Sequence, residues 1–201
     1  MQKKDPKRVN VYLDGTFAFG LYRDTAAWLE VGQVLSDEKI KKLQEADQKA
    51  EVYNKALEFI SYKPRTVMET YRKLREAGYA EDLISNTLSK LSENGLLNDK
   101  EYAAEWVDER QHSKPKSKRA LEYELRKKGI PDHLIQSAVE ETDDFQSALE
   151  IAESRLYRFE GLSKFDFRKK MANFLAAKGF NYDTISEVTQ KIWEDLQSSS
   201  K

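Results

Sequence analysis

The chain has 201 residues, and its 34 Lys and Arg against 35 Asp and Glu give a net charge of −1 at pH 7. Charged residues make up 34% of the chain and hydrophobic ones 39%, with 8 Gly and 4 Pro, which is typical of small helical units and excludes a large α/β enzyme core. The lack of cysteine excludes disulfides and thiolate metal sites, and no run approaches the roughly 18 apolar residues of a membrane span, so we expect a soluble cytoplasmic protein without a membrane partner.

Residues 8–22 carry the one clear β signal in the sequence. Apolar residues alternate with polar or small ones on both sides of the turn-forming pair Asp14-Gly15; they are Val9, Val11, Leu13, Phe17, Phe19 and Leu21. This pattern predicts a β-hairpin. Because two strands are unstable alone in water, we expect the hairpin to rest its apolar face on the helices or on a partner.

Two helices are predicted after the hairpin. The first is short, from Asp24 to Glu30, and Ser36 is a suitable N-cap for a second, long helix that runs to about Tyr62, before Pro64. Apolar residues at helical spacing give this long helix an expected buried stripe; they are Ile40, Leu43, Ala46, Ala50, Tyr53, Leu57 and Ile60.

The rest of the chain repeats with a period of about fifty residues. Three similar segments each begin with lysine and end with glycine and an apolar residue; they cover residues 63–79, 114–130 and 164–180. Their glycines, Gly78, Gly129 and Gly179, suit the left-handed residue that follows a helix in a Schellman motif. Each glycine therefore predicts a helix end.

A new helix follows each of these ends. It begins at Ala80-Glu81 in the first repeat, with Pro131 as its first residue in the second, and with Asp183 as its cap in the third. A third helix per repeat is the long helix ending near Tyr62, then one capped by Asn98, then one capped by Asp143. The three tryptophans, Trp28, Trp106 and Trp193, lie among helical apolar residues and are expected in the core.

The predicted fold is all-α, with three tandem three-helix repeats of the helix-turn-helix type in an elongated array and an N-terminal β-hairpin. Residues 1–35 form the hairpin and short helix, 36–97 the long helix and first repeat, 98–142 the second repeat, and 143–201 the third.

Basic residues concentrate in the helix that precedes each glycine. Residues 62–78 hold five basic and two acidic residues, residues 112–129 seven and two, and residues 161–178 five and one. The stretches between them are acidic, with net charges of −5 over residues 79–111 and −6 over residues 130–160. If the repeats stack in register, the basic helices line one side and form a stripe suited to phosphates.

The candidate contacts with a nucleic acid or a protein filament are the cations of these helices. They are Lys63, Arg65, Arg72, Lys73, Arg75, Lys114, Lys116, Lys118, Arg119, Arg126, Lys127, Lys128, Lys164, Arg168, Lys169 and Lys170. The alternative is a solvated face, because cations favour helix C-termini. Lys116, Lys118 and Arg119 lie at or near a helix start, where that explanation does not apply, and the three-residue spacing of Lys116 and Arg119 predicts that they share a helical face.

The residues needed for catalysis are missing from the sequence. His112 and His133 are the only histidines and lack partners at metal-ligand spacing, and the acidic pairs at residues 140–144 suit helix caps. No phosphate-binding glycine motif or nucleophile elbow is present. We therefore expect no catalytic residues, no metal and no cofactor.

Several segments resemble the RecX family of regulatory proteins, and the resemblance covers nearly the whole chain. They are RVNVYLDGTFAFGLY at residues 8–22, KPRTVMETYRKLREAGY at 63–79, LSENGLLNDKEYAAEWVDER at 91–110 and KSKRALEYELRKKGI at 116–130. The third repeat departs from the pattern, because its Ala176-Ala177-Lys178 lacks the arginine found at Arg75 and Arg126.

The resemblance implies a monomeric protein that lies in the groove of the RecA recombinase filament on DNA. Proteins of this family contact RecA subunits and lower the recombinase, ATPase and coprotease activities without being enzymes, which would place this chain in DNA repair, recombination and the SOS response. Direct contact with single- or double-stranded DNA stays open. Two alternatives also remain, a helix-turn-helix repressor specific for one DNA site and a helical scaffold that binds only proteins.

Overall fold

This computed structural model describes residues 6–198, so the outermost residues of the predicted segments 1–35 and 143–201 lie outside it. A β-hairpin and ten α-helices make up the described part, which confirms the all-α class with three three-helix repeats and an N-terminal hairpin. The chain packs as two compact units. Among the described residues, one contains the hairpin and most of the first repeat, residues 6–65 and 69–97, and the other contains residues 66–68 and 98–198.

The N-terminal hairpin consists of strands β1 (Arg8–Leu13) and β2 (Thr16–Tyr22), which pair antiparallel. Asp14 and Gly15 link them with φ angles of +48° and +80°. Two consecutive positive φ angles are typical of the type I′ turn, whose twist matches that of the strands. The predicted hairpin and its turn are confirmed.

A β-bulge changes which side chains of the hairpin share a face. Val11 is paired with Phe19 but Tyr12 with Phe17, so Ala18 is an extra residue in β2. Phe17 therefore lies on the face of Tyr12, where the two rings meet edge to face at 6.0 Å and Phe17 is 54% exposed. The expectation that Phe17 and Phe19 share one apolar face is wrong, because the bulge reverses the alternation.

The hairpin packs on the long helix, as expected. Helix α1 (Arg23–Ala26) is shorter than the predicted 24–30, and α2 (Asp37–Ser61) begins at the predicted N-cap Ser36, whose hydroxyl accepts the Lys39 N–H. The fully buried residues of α2 are Asp47, Val52 and Ala56. Of the predicted stripe, Ala46 is exposed and the other six residues are half-buried. The Asp47 side of α2 faces the hairpin instead, since its carboxylate accepts from Arg8 and from the Tyr22 N–H.

The three repeats share one helical pattern. The first comprises α2 with α3 and α4, the second α5 to α7, and the third α8 to α10 with a short 3₁₀ turn after α8. Their bounds are α3 Val67–Glu76, α4 Glu81–Glu93, α5 Asp99–Ser113, α6 Lys118–Lys128, α7 Asp132–Val139, α8 Asp144–Glu153, 3₁₀ turn Leu156–Arg158, α9 Lys164–Ala176 and α10 Tyr182–Ser198.

Two of the predicted helix starts shift by one or two residues. Pro131 is the N-cap of α7 rather than its first residue. In the third repeat Asn181 takes the place predicted for Asp183, because the Asn181 side chain accepts the Thr184 N–H at 2.9 Å. The predicted N-caps Asn98 and Asp143 are confirmed.

All three predicted Schellman motifs are present. Gly78, Gly129 and Gly179 have φ angles of +85°, +81° and +93°. The N–H of the residue after each glycine donates to the carbonyl of the leucine four residues before the glycine, at 3.4, 3.2 and 3.4 Å respectively. These glycines end α3, α6 and α9 as the repeat pattern predicts.

The tryptophans differ in burial. Trp106 and Trp193 are half-buried and pack against the cores of the second and third repeats. Trp28 is 87% exposed, so its predicted core position is wrong. The short α1 ends at Ala26 and leaves Trp28 outside any helix, with no apolar helix face to place it in the core.

The first residues of α5 and α8 are aspartates that link successive repeats within the second unit. The Val67 N–H donates to Oδ1 of Asp99, the first residue of α5, at 2.9 Å. In the same way the Lys118 N–H donates to Oδ1 of Asp144, the first residue of α8, at 2.6 Å. Both bonds satisfy a backbone donor of the first turn of a basic helix.

Candidate functional site

The sixteen candidate cations differ in exposure. Four of them are half-buried, namely Arg65, Lys116, Lys118 and Lys128. Twelve are exposed, and they are Lys63, Arg72, Lys73, Arg75, Lys114, Arg119, Arg126, Lys127, Lys164, Arg168, Lys169 and Lys170. Most of the basic residues are therefore accessible to an anionic partner.

Helix α9 carries the densest group of free cations. Arg168, Lys169 and Lys170 are consecutive, exposed, and without an ion pair or side-chain hydrogen bond to any of residues 6–198. Arg119 has the same character at the start of α6. None of these four lies in the last turn of its helix, so attraction to the helix dipole does not explain them.

Within the second unit, the residue before α6 bonds to a residue just after α9, and the residue before α3 bonds to the end of α6. The backbone N–H of Ser117, the N-cap of α6, donates to the carbonyl of Lys178 just after α9, at 3.5 Å. The Thr66 hydroxyl before α3 donates to the carbonyl of Lys128 at the end of α6, at 2.8 Å. The cations of α6 and α9 are therefore on consecutive basic helices of one compact unit.

In the first repeat the exposed candidate cations are Lys63, which lies before α3, and Arg72, Lys73 and Arg75 on α3. Arg72 and Arg75 are exposed, while the Arg65 guanidinium stacks on the Phe59 ring with its carbon 4.1 Å from the ring centroid. The Arg65 Nε is buried without a hydrogen-bond partner among residues 6–198. Arg65 thus contributes to packing in this unit, whereas Arg72 and Arg75 stay available to a ligand.

An aromatic and cationic cluster lies between α5 and α6. The Trp106 ring has the Arg110 guanidinium at 4.2 Å and the Lys128 ammonium at 5.2 Å from its centroid, and the Tyr102 ring stacks on it at 6.0 Å. Cation–π contacts of this kind stabilise the native packing. Trp106 and Lys128 are therefore engaged within the protein.

Glu124 is the centre of this cluster. It accepts hydrogen bonds from the Trp106 indole N–H at 3.0 Å and the Arg110 Nε at 3.2 Å, and it also pairs with the Lys116 ammonium. Burial raises the pKa of Glu124, but the hydrogen bonds from Lys116 and Trp106 outweigh it, and the pKa of Glu124 lies below its usual value.

The pairing with Glu124 changes the interpretation of Lys116. Its side chain is only 29% exposed and its ammonium is held inside the protein. Lys116 also precedes α6, which begins at Lys118, so Lys116 and Arg119 do not share a helical face as their spacing suggested. Arg119 remains a free cation, and Lys116 does not.

Replacement of Glu124 by glutamine should reduce the pH dependence of stability. Because the pKa of Glu124 is lower in the folded than in the unfolded chain, its stabilising effect is present above its unfolded pKa, at about 4.3, and is lost as pH falls through the folded pKa. Urea midpoints should be lower for Glu124→Gln at neutral pH, with the difference closing as pH falls through the folded pKa of Glu124.

The matched control is Glu105→Gln on the exposed side of α5. This variant should follow the wild-type pH profile throughout. A Glu124→Gln profile parallel to that of the wild type would contradict the role given to the carboxylate.

Sequence reasoning did not find the Glu124 cluster or Asp47. Both depend on contacts between residues well apart in the chain, such as Glu124 with Trp106 and Asp47 with Arg8. The only indication of the Glu124 cluster in the sequence is that Glu124 and Trp106 lie eighteen residues apart, on adjacent predicted helices.

A metal site and a membrane span are both absent from the same part of the chain. Within residues 6–198, no three His, Asp or Glu side chains are grouped as metal ligands. None of the helices in that range is long and apolar enough to cross a membrane. The arrangement described above is suited to binding anions through exposed Arg and Lys side chains.

Four family models match consecutive parts of the chain. The model described as the regulatory protein RecX N-terminal domain matches residues 1–36, and the first, second and third three-helix domains of RecX match residues 53–91, 98–139 and 141–189. The hairpin and all three repeats described above are therefore covered by models of a single family.

Individual proteins give the same result. The chain is 31% identical to the regulatory protein RecX of Bacillus subtilis (strain 168), over 100% of this chain and 78% of the relative. It is 28% identical to that of Clostridium perfringens (strain SM101), over 96% and 93%. A crystal structure of regulatory protein RecX aligns with a TM-score of 0.74 at 27% identity, over 94% of this chain and 95% of that one. The crystal structure of RecX from Lactobacillus salivarius aligns at 0.67 and 33% identity, over 73% and 97%.

Proposed function

This chain belongs to the RecX family of regulatory proteins, and we propose that it binds the RecA nucleoprotein filament and inhibits its recombinase, ATPase and coprotease activities without catalysing a reaction. The relatives are named regulatory proteins. The protein acts in the cytoplasm as a monomer, in DNA repair, recombination and the SOS response. A filament of RecA on DNA presents both protein and phosphate, and the exposed cations of the basic helices suit the phosphates.

The observation that carries this proposal is the set of free cations on α6 and α9. Arg119, Lys164 and Lys170 are exposed and unpaired within residues 6–198, and neither attraction to a helix C-terminus nor internal ion pairing accounts for them. Exposed cations that serve no internal contact are favourable when an anionic surface approaches, since they release counterions from it.

Charge on the second helix of each helix-turn-helix pair argues against the repressor alternative. In such repressors the second helix enters the major groove and its side chains meet base edges and phosphates. Here α4 carries three acidic residues and one lysine, α7 one acidic residue and no lysine or arginine, and α10 four acidic residues and one lysine. The basic residues lie on the first helix of each pair instead.

The test reverses three free cations, Arg119→Glu, Lys164→Glu and Lys170→Glu, in one variant. Lys116 is unsuitable because its loss would remove one of the two cations that pair with Glu124, the other being Arg110. Each lost phosphate contact should reduce the dependence of log affinity on log salt by about one unit. We expect at least a tenfold rise in the concentration that inhibits the DNA-dependent ATPase of RecA, and a shallower salt dependence.

The control variant makes the same change in net charge at exposed lysines of α2, with Lys39→Glu, Lys41→Glu and Lys49→Glu. It should inhibit like the wild type, and circular dichroism should give both variants native helix content. Equal inhibition by all three proteins, with equal salt dependence, would remove the basic helices from the interface. A strong preference for one duplex site would instead favour the repressor, and insensitivity to DNA and salt the protein-only scaffold.

A further inference from the structure

An open groove runs between the two helices of the third helix-turn-helix pair, α9 and α10. Its volume is about 660 Å³, and its lining includes the aliphatic residues Ala172, Ala176 and Ile185. All of its lining residues belong to the second compact unit. The corresponding helix pairs of the other two repeats are bridged by polar side chains at this place.

In the second repeat a polar network closes the same position. Arg126 bonds Asp132 through its Nε at 2.9 Å and pairs with Glu122 at 3.4 Å, and the Gln136 amide donates to Glu122 at 3.2 Å. These residues link α6 to α7 across the gap between the helices. In the first repeat the Tyr71 hydroxyl donates to Glu81 at 3.1 Å and links α3 to α4.

The third repeat replaces every member of this network. Fifty residues after Glu122, Arg126, Asp132 and Gln136 stand Ala172, Ala176, Tyr182 and Ser186. The two alanines remove the side chains that would fill the groove. The third repeat has Ala176 where the other two repeats have Arg75 and Arg126. This same change therefore opens the groove.

Two further features of the groove are costly in the free protein. Phe165 and Tyr182 border it and are 75% and 81% exposed. Thr189, which also lines it, is 2% exposed, and its hydroxyl has no hydrogen-bond partner among residues 6–198. A buried polar group without a partner is unfavourable, as is a cluster of exposed aromatic rings. The cost of the exposed rings falls when a ligand covers the apolar surface.

The charge around the groove indicates what the ligand is. Arg168 and Lys169 line its α9 side, are exposed, and have no ion pair within residues 6–198. We propose that this groove is a docking site for an acidic amphipathic segment of a partner protein. The apolar side chains of that segment pack on Ala172 and Ala176, while its carboxylates meet Arg168 and Lys169. The proposal does not depend on RecA being that partner.

A peptide suits this surface better than an unpaired nucleobase. Apolar anchors at helical spacing in a groove are a common mode of peptide recognition. Between its charged rim and its neutral polar residues Asn173 and Ser186, the lining is apolar at Ala172, Ala176 and Ile185. A base placed there would turn part of its edge donors and acceptors toward apolar atoms, which costs affinity, whereas apolar peptide side chains would not.

The decisive variant transplants the second repeat's network into the third. Ala172→Glu with Ala176→Arg recreates the Glu122–Arg126 pair at the same helical spacing and fills the groove with side chains that the fold already accepts. Lys169→Glu tests the charged rim. Its matched control is Arg119→Glu, because Arg119 lies fifty residues earlier, where the groove is closed.

The experiment selects binders from a random 12-residue peptide library on the full chain and measures the best peptide by fluorescence anisotropy. We expect enriched peptides to carry two apolar residues three or four apart with neighbouring Asp or Glu. Affinity should fall at least tenfold in Ala172→Glu/Ala176→Arg and severalfold in Lys169→Glu, and stay unchanged in Arg119→Glu. Equal thermal midpoints for the variants would establish that the fold is intact.

Several results would overturn the proposal. They are failure to enrich any peptide, enrichment without acidic residues, and equal binding to Ala172→Glu/Ala176→Arg. A labelled oligo(dT) whose binding is lost in that variant, while peptide binding is not, would assign the groove to nucleic acid instead. Because neither RecA nor its ATPase is used, this test can fail while the proposed regulation of RecA stands, and the reverse also holds.

Discussion

Replacement of Gly129 by alanine should lower the free energy of unfolding by about 3 kcal/mol, the sum of a left-handed backbone penalty and the overpacking of a filled site. Gly129 has a φ of +81°, and a Cβ added there would lie 2.4 Å from both Cβ and Cγ of Met68. These Met68 atoms are next to the backbone of α3, so the side chain cannot swing away from the clash.

Gly78 provides the matched control for this prediction. It has nearly the same φ, +85°, but a Cβ added there would meet no atom within 4 Å. Gly78→Ala should therefore cost only the backbone penalty, about 1 kcal/mol. Urea unfolding followed by circular dichroism measures both losses, and equal losses would show that Met68 does not restrict position 129.

Replacement of Asp47 by alanine should have an effect of similar size, about 3 kcal/mol, because it removes one partner of a buried ion pair. Asp47 Oδ2 accepts from Arg8 and Oδ1 from the Tyr22 N–H, both at 2.6 Å. The Asp47 side chain is 8% exposed and that of Arg8 19%. Without the carboxylate, both donors lose their main acceptor in a largely dehydrated place.

The loss should also loosen the hairpin from α2. Limited proteolysis within residues 8–22 should become faster in Asp47→Ala, together with the lower urea midpoint. Glu38→Ala is the control, because Glu38 pairs with Lys42 on the same helix at 2.6 Å but both side chains are well exposed. Exposed pairs contribute little, so this variant should unfold like the wild type. If Asp47→Ala did the same, the hairpin would be held by apolar contacts alone.

Gly129 and Asp47 differ in how much of their structural role the sequence predicts. Gly129 was identified because a helix end needs a left-handed residue, and the repeats placed a glycine there three times. The close approach of Met68 was not visible, because it joins residues sixty-one positions apart. Asp47 gave no signal at all, since an aspartate in a charged helix is ordinarily on the solvent side.

The candidate site was likewise only partly predictable. Local charge counts located the basic helices correctly, and most of their cations are exposed. Lys116 was assigned from its spacing to Arg119, and the structure gives it to Glu124 instead. Whether a lysine is free or paired depends on which helices pack beside it. The spacing of residues along one helix carries no information about those neighbouring helices.

The sequence by itself determined the hairpin turn, the three helix ends and the N-caps Ser36, Asn98 and Asp143, because each follows from the backbone needs of a few neighbouring residues. Only the tertiary structure decided the exposure of Trp28, the pairing of Asp47 and Lys116, and the groove beside Ala172 and Ala176. These features depend on side chains from separate helices or strands meeting in space, and no local pattern specifies which of them meet.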